Sequence, residues 1–385
     1  MASRTWEGKA PSIQQIATIV VGGTISGETF TISAKHPSGA VSSAVVIASV
    51  TDSTTVAATN AAALAAAWNA SNHVFATKVT ASVNSATITL TSDVGGVPFV
   101  VTVNTPGGSA TFVLTTTTAN SGPNDYSVAS NWREGAVPIA NDEVVITGSS
   151  PILYGLDQSA IRIDSFEVTG YTGQLGDFGT ALHVDPVFMT YDSSGLGFLK
   201  IGNGSNTSIQ IFATSQRQPF GLYLHAALSD VCEIHGGSVS ICPFESDTAT
   251  ITTVKVNAGI VDIGDGLSYT SYRQTGGNGT LRGSGGVVTL IEFSAGELQV
   301  GELIADGIAN VTTMNILGGL AYIVNGATFV TMNAYGGFVN FTKTTGTNTV
   351  TTLNQRPGAR VKYDTTYTTV TTHNKTGPVE YVCAA

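Results

Sequence analysis

Between Cys232 and Tyr381 the chain repeats one pattern of apolar and polar positions eight times. Each copy has an apolar strand start, a turn of small residues ending in glycine, and an apolar–polar–apolar strand. The clearest copies are VTTMNILGGLAYI from Val311, VTMNAYGGFVNF from Val330, VTTLNQRPGARVKY from Val350 and VTTHNKTGPVEY from Val370. Fainter ones begin at Ile251 (ITTVKVNAGIVDI), Val288 (VTLIEFSAGELQV), Cys232 (CEIHGGSVSI) and Tyr272 (YRQTGGNGTL). The turn glycines are Gly237, Gly259, Gly277, Gly296, Gly319, Gly337, Gly358 and Gly377. Their spacings of 22, 18, 19, 23, 18, 21 and 19 sum to 140 over seven steps, a mean period of 20. Such a period in a strand-rich sequence predicts a β-solenoid, whose coils bury their apolar faces only against neighbouring coils.

Two and four residues after the glycine come the pairs Val239/Ile241, Val261/Ile263, Leu298/Val300, Ala321/Ile323, Val339/Phe341 and Val379/Tyr381. Ser240, Asp262, Gln299, Tyr322, Asn340 and Glu380 lie between them. This alternation places one set inside the coil and the other outside. The copy at Gly358 is out of phase, with Arg360 at an apolar position, and a one-residue bulge would restore the facing. Before the glycine, Val254, Ile291, Met314, Met332 and Leu353 recur. In the four clear copies Asn315, Asn333, Asn354 and Asn374 follow, and His373 replaces the apolar residue in the last. Stacked coils would align the four asparagines into a ladder of amides. The glycines mark coil corners needing positive φ. At ~4.8 Å per coil, eight copies span roughly 40 Å. If coils start near Val144, about twelve fit before Cys383 and span roughly 58 Å.

The first part of the chain reads differently. Residues 1–12 form a short polar arm containing Trp6, and residues 13–118 a β-rich module. Its strand-like runs are Ile16–Val21, Thr29–Ala34, Val79–Thr91, Pro98–Val103 and Thr111–Thr116. An alanine-rich stretch over residues 59–71 predicts one helix, with Trp68 and Leu64 on the face toward the sheet. Residues 119–147 read as a linker and a cap leading into the solenoid, with Trp132 plugging its open end and Pro138 turning the chain into the first coil. Residues 148–385 form the parallel β-helix. The expected class is therefore mainly all-β.

Composition narrows the functional classes. Only 11% of residues are charged and mean hydropathy is +0.21, yet no run of 18 apolar residues occurs, so membrane insertion is not expected. Net charge is −10 and no Lys/Arg run exists, which argues against nucleic-acid binding. Cys232, Cys242 and Cys383 lack metal-ligand spacing and are expected as reduced, mostly buried thiols, although Cys232 and Cys242 could meet across one turn. The N-terminal MASRTWEGKAPSIQQ has no apolar segment of the secretory kind. Synthesis in a host cytoplasm followed by release on lysis fits that combination.

The stretches SIQQIATIVVGGTISGETFTI, VTASVNSATITLTSDVGGVPFVVTVNT, NWREGAVPIANDEVVI and ILYGLDQS resemble phage and prophage-like virion structural proteins, over roughly the first 200 residues. The resemblance implies a virion component such as a capsid decoration, head fibre or tail fibre, and brings no catalytic residues. It also implies other virion proteins as partners and a homo-oligomer, possibly a trimer.

β-Helices also host polysaccharide-cleaving enzymes, which need paired carboxylates across a groove. The repeats offer Glu233, Asp262, Asp265, Glu292, Glu297, Glu302 and Asp306, with Asp262/Asp265 and Glu297/Glu302 the closest outward pairs. No His, Arg or second Asp cluster adjoins either, so they read as solvent-facing residues. Glu233 and His235 share one strand face but lack a third metal ligand. Neither a phosphate-binding loop nor a nucleophile elbow is present. No catalytic residue, cofactor or metal is therefore expected. Tyr272, Tyr322 and Tyr335 are the aromatic candidates for contacting a glycan or partner chain. The expectation is a non-enzymatic virion protein that docks by its N-terminal module and projects a rod. The alternatives are a fibre or tailspike binding a host surface glycan, with depolymerase activity, and a bacterial surface or filament protein.

Overall fold

The computed structural model describes residues 2–23, 27–35, 44–52, 56–104, 106–107, 110–176, 198–202, 208–212, 220–225, 228–243, 249–264, 266–283, 286–301, 310–324, 326–341, 347–377 and 381–383, the side chains of 228–230 and 381–383 excepted. Val379 and Glu380 of the repeat pattern, and the side chain of Tyr381, lie outside them.

The solenoid is a parallel β-helix of about 21 residues per coil, running from residue 143 onward. Its strands alternate between two parallel sheets of twelve and eleven strands. Twelve strands make eleven gaps, or roughly 53 Å at ~4.8 Å each. Registers follow the glycine period. Cys232 pairs with Val254, Val254 with Tyr272, Tyr272 with Ile291, Ile291 with Met314, Met314 with Met332, Met332 with Leu353 and Leu353 with His373. All but the terminal His373 are fully buried, forming one interior stack.

The corner glycines also stack. Gly237, Gly259, Gly277, Gly296, Gly319 and Gly337 all have positive φ, between 73° and 96°. A Cβ on Gly259, Gly277 or Gly296 would also overlap the carbonyl oxygen of the glycine one coil below. Conformation and space therefore both demand glycine. The out-of-phase copy resolves as the sequence suggests. Arg360 pairs with Phe338 and Val361 with Val339, so Ala359 is the extra residue, buried in the turn after Gly358.

One interior layer departs from the apolar rule. Tyr272 is fully buried, and its hydroxyl donates to Gln274 Oε1 at 2.8 Å. The Gln274 amide donates in turn to the carbonyls of Gly277 and Glu297 at 2.8 and 2.9 Å. Gly279 leaves the room they need, since a Cβ there would overlap the Tyr272 hydroxyl. Every polar atom of the pair is satisfied, which is the condition for burying it.

The start of the chain belongs to the solenoid. Strand β1 (Ser3–Thr5) adds in parallel to β9 (Glu143–Thr147), with Arg4 opposite Val144. Between them the module forms β2 (Ile16–Gly22), β3 (Thr29–Lys35), β4 (Val45–Thr51), helix α1 (Ala57–Ala70), β5 (Val79–Asn84), β6 (Thr87–Ser92), β7 (Val100–Val103) and β8 (Thr111–Thr118). These make an antiparallel four-stranded sheet, β5-β6-β2-β8, and a three-stranded one, β4-β3-β7. Trp6, Tyr126 and Trp132 join the solenoid core, whereas the module has its own core containing Leu64 and Trp68. The Trp68 indole donates to the Val79 carbonyl at 2.8 Å, tying the helix to the sheet.

The module differs from its sequence reading in two places. The run Val79–Thr91 is a hairpin, because Ser85 turns the chain with φ 54°. Strand β4 was not expected; its VVIAS core carries no polar alternation and lies between segments rich in Ser and Thr.

Candidate functional site

The cap is built from the motif NWREGAVPIANDEVVI. Trp6 and Trp132 meet edge to face at 5.4 Å, and Tyr126 packs edge-on against Trp132 at 4.7 Å. Each indole N–H is satisfied, Trp6 by the Ser150 carbonyl at 3.1 Å and Trp132 by the Tyr126 carbonyl at 2.9 Å. Asn131, fully buried, accepts from the Ala10 N–H at 2.7 Å and donates to the carbonyls of Gly122 and Asp125. It thus holds the arm to the chain returning from the module. Asp142 takes the Arg4 guanidinium at 2.9 Å and the N–H groups of Ala2 and Ile139. Burial pushes its carboxyl upward, but these donors outweigh it and hold it below the usual carboxylate range.

Outside the twelve-stranded sheet, register lines up columns of side chains. One column runs Glu233, Lys255, Arg273, Glu292, Asn315, Asn333, Asn354, Asn374. Its first half is ionic: Lys255 pairs with Glu233, and Arg273 with Glu292 at 3.3 Å. The bond from Lys255 is the main reason the Glu233 carboxyl titrates below its ordinary value; burial opposes it and His235, 3.5 Å away, adds to it. Its second half is the expected amide ladder. Asn333 donates to Asn315 at 2.8 Å, Asn354 to Asn333 at 2.8 Å and Asn374 to Asn354 at 2.9 Å. Beside it runs Thr253, Ser271, Leu290, Thr313, Thr331, Thr352, Thr372. The T-x-N recurrence in the four clear copies was the available signal for this second column.

The three tyrosine candidates are not brought together. Tyr272 is interior and is withdrawn as a surface residue; it stands five positions before Gly277, where Met314 stands before Gly319. Tyr322 is half-buried on the other sheet between Gln299 and Asn340. Tyr335 is exposed in the turn just after Thr328–Ala334, and the Arg356 guanidinium lies over its ring at 4.8 Å. One face of the Tyr335 ring is thus already taken by Arg356.

The carboxylates also differ from the sequence reading. Asp262 is not solvent-facing. It is buried, accepts from Arg282 Nε at 2.7 Å and lies 3.4 Å from the Ser240 hydroxyl. Asp262 lies opposite Thr280 in the register, and Arg282, two residues further along the next coil, reaches back to it. Asp265, Glu302 and Asp306 lie outside the described residues, leaving one described member of each expected pair. His235 shares Nδ1 with the Asn257 amide at 3.1 Å and stacks on Phe212 at 4.6 Å. Among the described residues no three His, Cys, Asp or Glu side chains group as metal ligands, and no helix is long and apolar enough to cross a membrane. Cys232 and Cys242 are buried free thiols, and burial pushes the Cys232 thiol up to about 12. The Cys383 side chain lies outside the described residues.

The fold defines the chain as a β-solenoid protein with an inserted module. Comparison with protein-family models, curated proteins and solved structures gives no match.

Proposed function

We propose that the chain is a non-enzymatic structural protein of a phage particle, docking by its module to the capsid or tail and projecting the β-helix as a stiff fibre or decoration. The observation that carries this reading is the insertion of the module into the solenoid cap. The stretches leaving for and returning from the module are bridged to each other at Trp6–Trp132 and Ile13–Ser121. A load on the module would pass into the rod through hydrogen-bonded backbone. The carboxylates of Glu233, Glu292 and Asp262 are each engaged by a Lys or Arg side chain, which supports a scaffold role. A virion location, other virion proteins as partners and a homo-oligomeric, possibly trimeric, state belong to the same reading. Negative-stain imaging of particles lacking this protein tests it: loss of surface projections is expected, and unchanged projections would sink it.

A glycan-binding fibre is the second reading, favoured by the uncharged threonine and asparagine columns of the last coils. Incubation with host envelope polysaccharide should give binding without new reducing ends; cleavage would establish a depolymerase instead.

A further inference from the structure

The outer face of the twelve-stranded sheet changes character along the rod. In the coils of Glu233 to Glu292 it is ionic and self-paired. In the last four coils the same column holds only asparagine, and the neighbouring column only threonine. All eight side chains of these two columns are half-buried or exposed. Each inner asparagine spends one N–H and one carbonyl lone pair along the ladder, leaving one of each for a ligand. The threonine hydroxyls make no side-chain hydrogen bond among the described residues, so their donors and acceptors also face outward. Threonine is stiff at χ1 and the amides are fixed by one another, so little side-chain freedom remains to be lost on binding.

Such a surface selects its ligand by charge and period. It has no fixed charge in these columns, so it offers nothing to compensate desolvation of an ionic ligand. It presents the same hydroxyl and amide once per coil, every ~4.8 Å along the rod. A pyranose in an extended β-linked chain is about one coil long, and because successive β-1,4 sugars are turned over, it brings the same hydroxyls to the same side at every second coil. We infer that the threonine–asparagine face of the last four coils binds a neutral, extended polysaccharide laid along the rod axis, about one sugar per coil. The inference rests on the fibre reading and names the ligand class of its outer face.

The test is calorimetric titration of the full chain with cello-oligosaccharides and β-1,4-mannan oligosaccharides of increasing length. Polygalacturonate serves as a charged extended chain and amylose as a neutral helical one. Affinity should rise with each added sugar to about four and then level, with both control chains weaker. Thr331→Val with Thr352→Val keeps shape and strand preference while deleting two hydroxyls, and should weaken binding about tenfold, or about 1.4 kcal/mol, with an unchanged melting curve. Thr289→Val, in an upstream coil, should leave binding intact. No binding of either neutral series, tighter binding of polygalacturonate, or affinity unchanged in the double variant would each overturn the inference. Imaging of particles lacking the protein separates the two failures, since projections would still be lost if only the ligand assignment were wrong.

Discussion

Trp6 and Trp132 pack edge to face at 5.4 Å although the whole inserted module lies between them in the chain. A solenoid leaves a raw end at its first coil, with apolar interior and unpaired backbone exposed. Here the chain's own beginning seals that end. Trp6→Ala should cost about 3–5 kcal/mol in denaturant unfolding, the range for deleting a buried aromatic. The emission of Trp132 should shift to the red, because its neighbour no longer excludes water. The module should hold its fold, since Trp68 sits in a separate core. A melt in which module and rod signals fall together by the same amount would contradict separate cores.

Much of the rod was legible because its constraint is local and periodic. A corner that only glycine fits repeats with each coil, so Gly237 to Gly377 mark the register directly. The asparagine ladder follows from the same period. Tyr272 departs from the surface expectation because its phase, five positions before Gly277, puts it in the Met314 layer whatever its residue type. The buried Asp262–Arg282 pair was not legible, since the alternation places Asp262 outside the coil and its register partner is Thr280, two residues short of Arg282. The closure by residues 2–10 could not be read, since pairing of Arg4 with Asp142 spans the module and leaves no periodic trace. The module itself was half legible. Helix α1 announced itself by alanine content, whereas β4 has neither alternation nor turn signals of its own.

The corner column predicts a ranking. Gly296 and Gly358 have nearly the same φ, 89° and 91°. A Cβ on Gly296 would overlap the Gly277 carbonyl, whereas one on Gly358 meets nothing within 4 Å. Gly358→Ala should therefore cost only the left-handed backbone strain, about 1–2 kcal/mol. Gly296→Ala adds the steric overlap and should be clearly worse. Equal losses in parallel denaturant melts would show that conformation alone selects these glycines.

The ladder predicts a position effect. Asn333 both donates and accepts within it, whereas Asn374 makes a single ladder bond at the exposed end. With a typical net value near 1 kcal/mol per hydrogen bond, Asn333→Ala should cost about 2 kcal/mol and Asn374→Ala about half or less. Comparing the two midpoints at equal denaturant slope checks this. A larger loss at Asn374 would mean that the amides do not act as a chain.

The last coil carries a titratable group where earlier coils carry apolar ones. His373 continues the stack of Met314, Met332 and Leu353, with Nε2 3.0 Å from Gln355 Oε1 and Nδ1 3.5 Å from the Tyr363 hydroxyl. Burial is the main reason its pKa lies below the ordinary histidine value of 6.5, and the charge of Lys375 adds to the effect. Below about pH 6.5 the unfolded chain therefore binds a proton that the folded chain resists. Stability should be at its full value above that pH, and should fall as pH drops from there through the lower folded value. His373→Leu restores the residue type found at Leu353, so the variant should lose this part of the pH dependence. The comparison is the difference in melting temperature between pH 7.5 and pH 5 for the two proteins, measured in the same salt. If the variant and the parent lose the same amount on acidification, the titration that matters lies elsewhere in the chain.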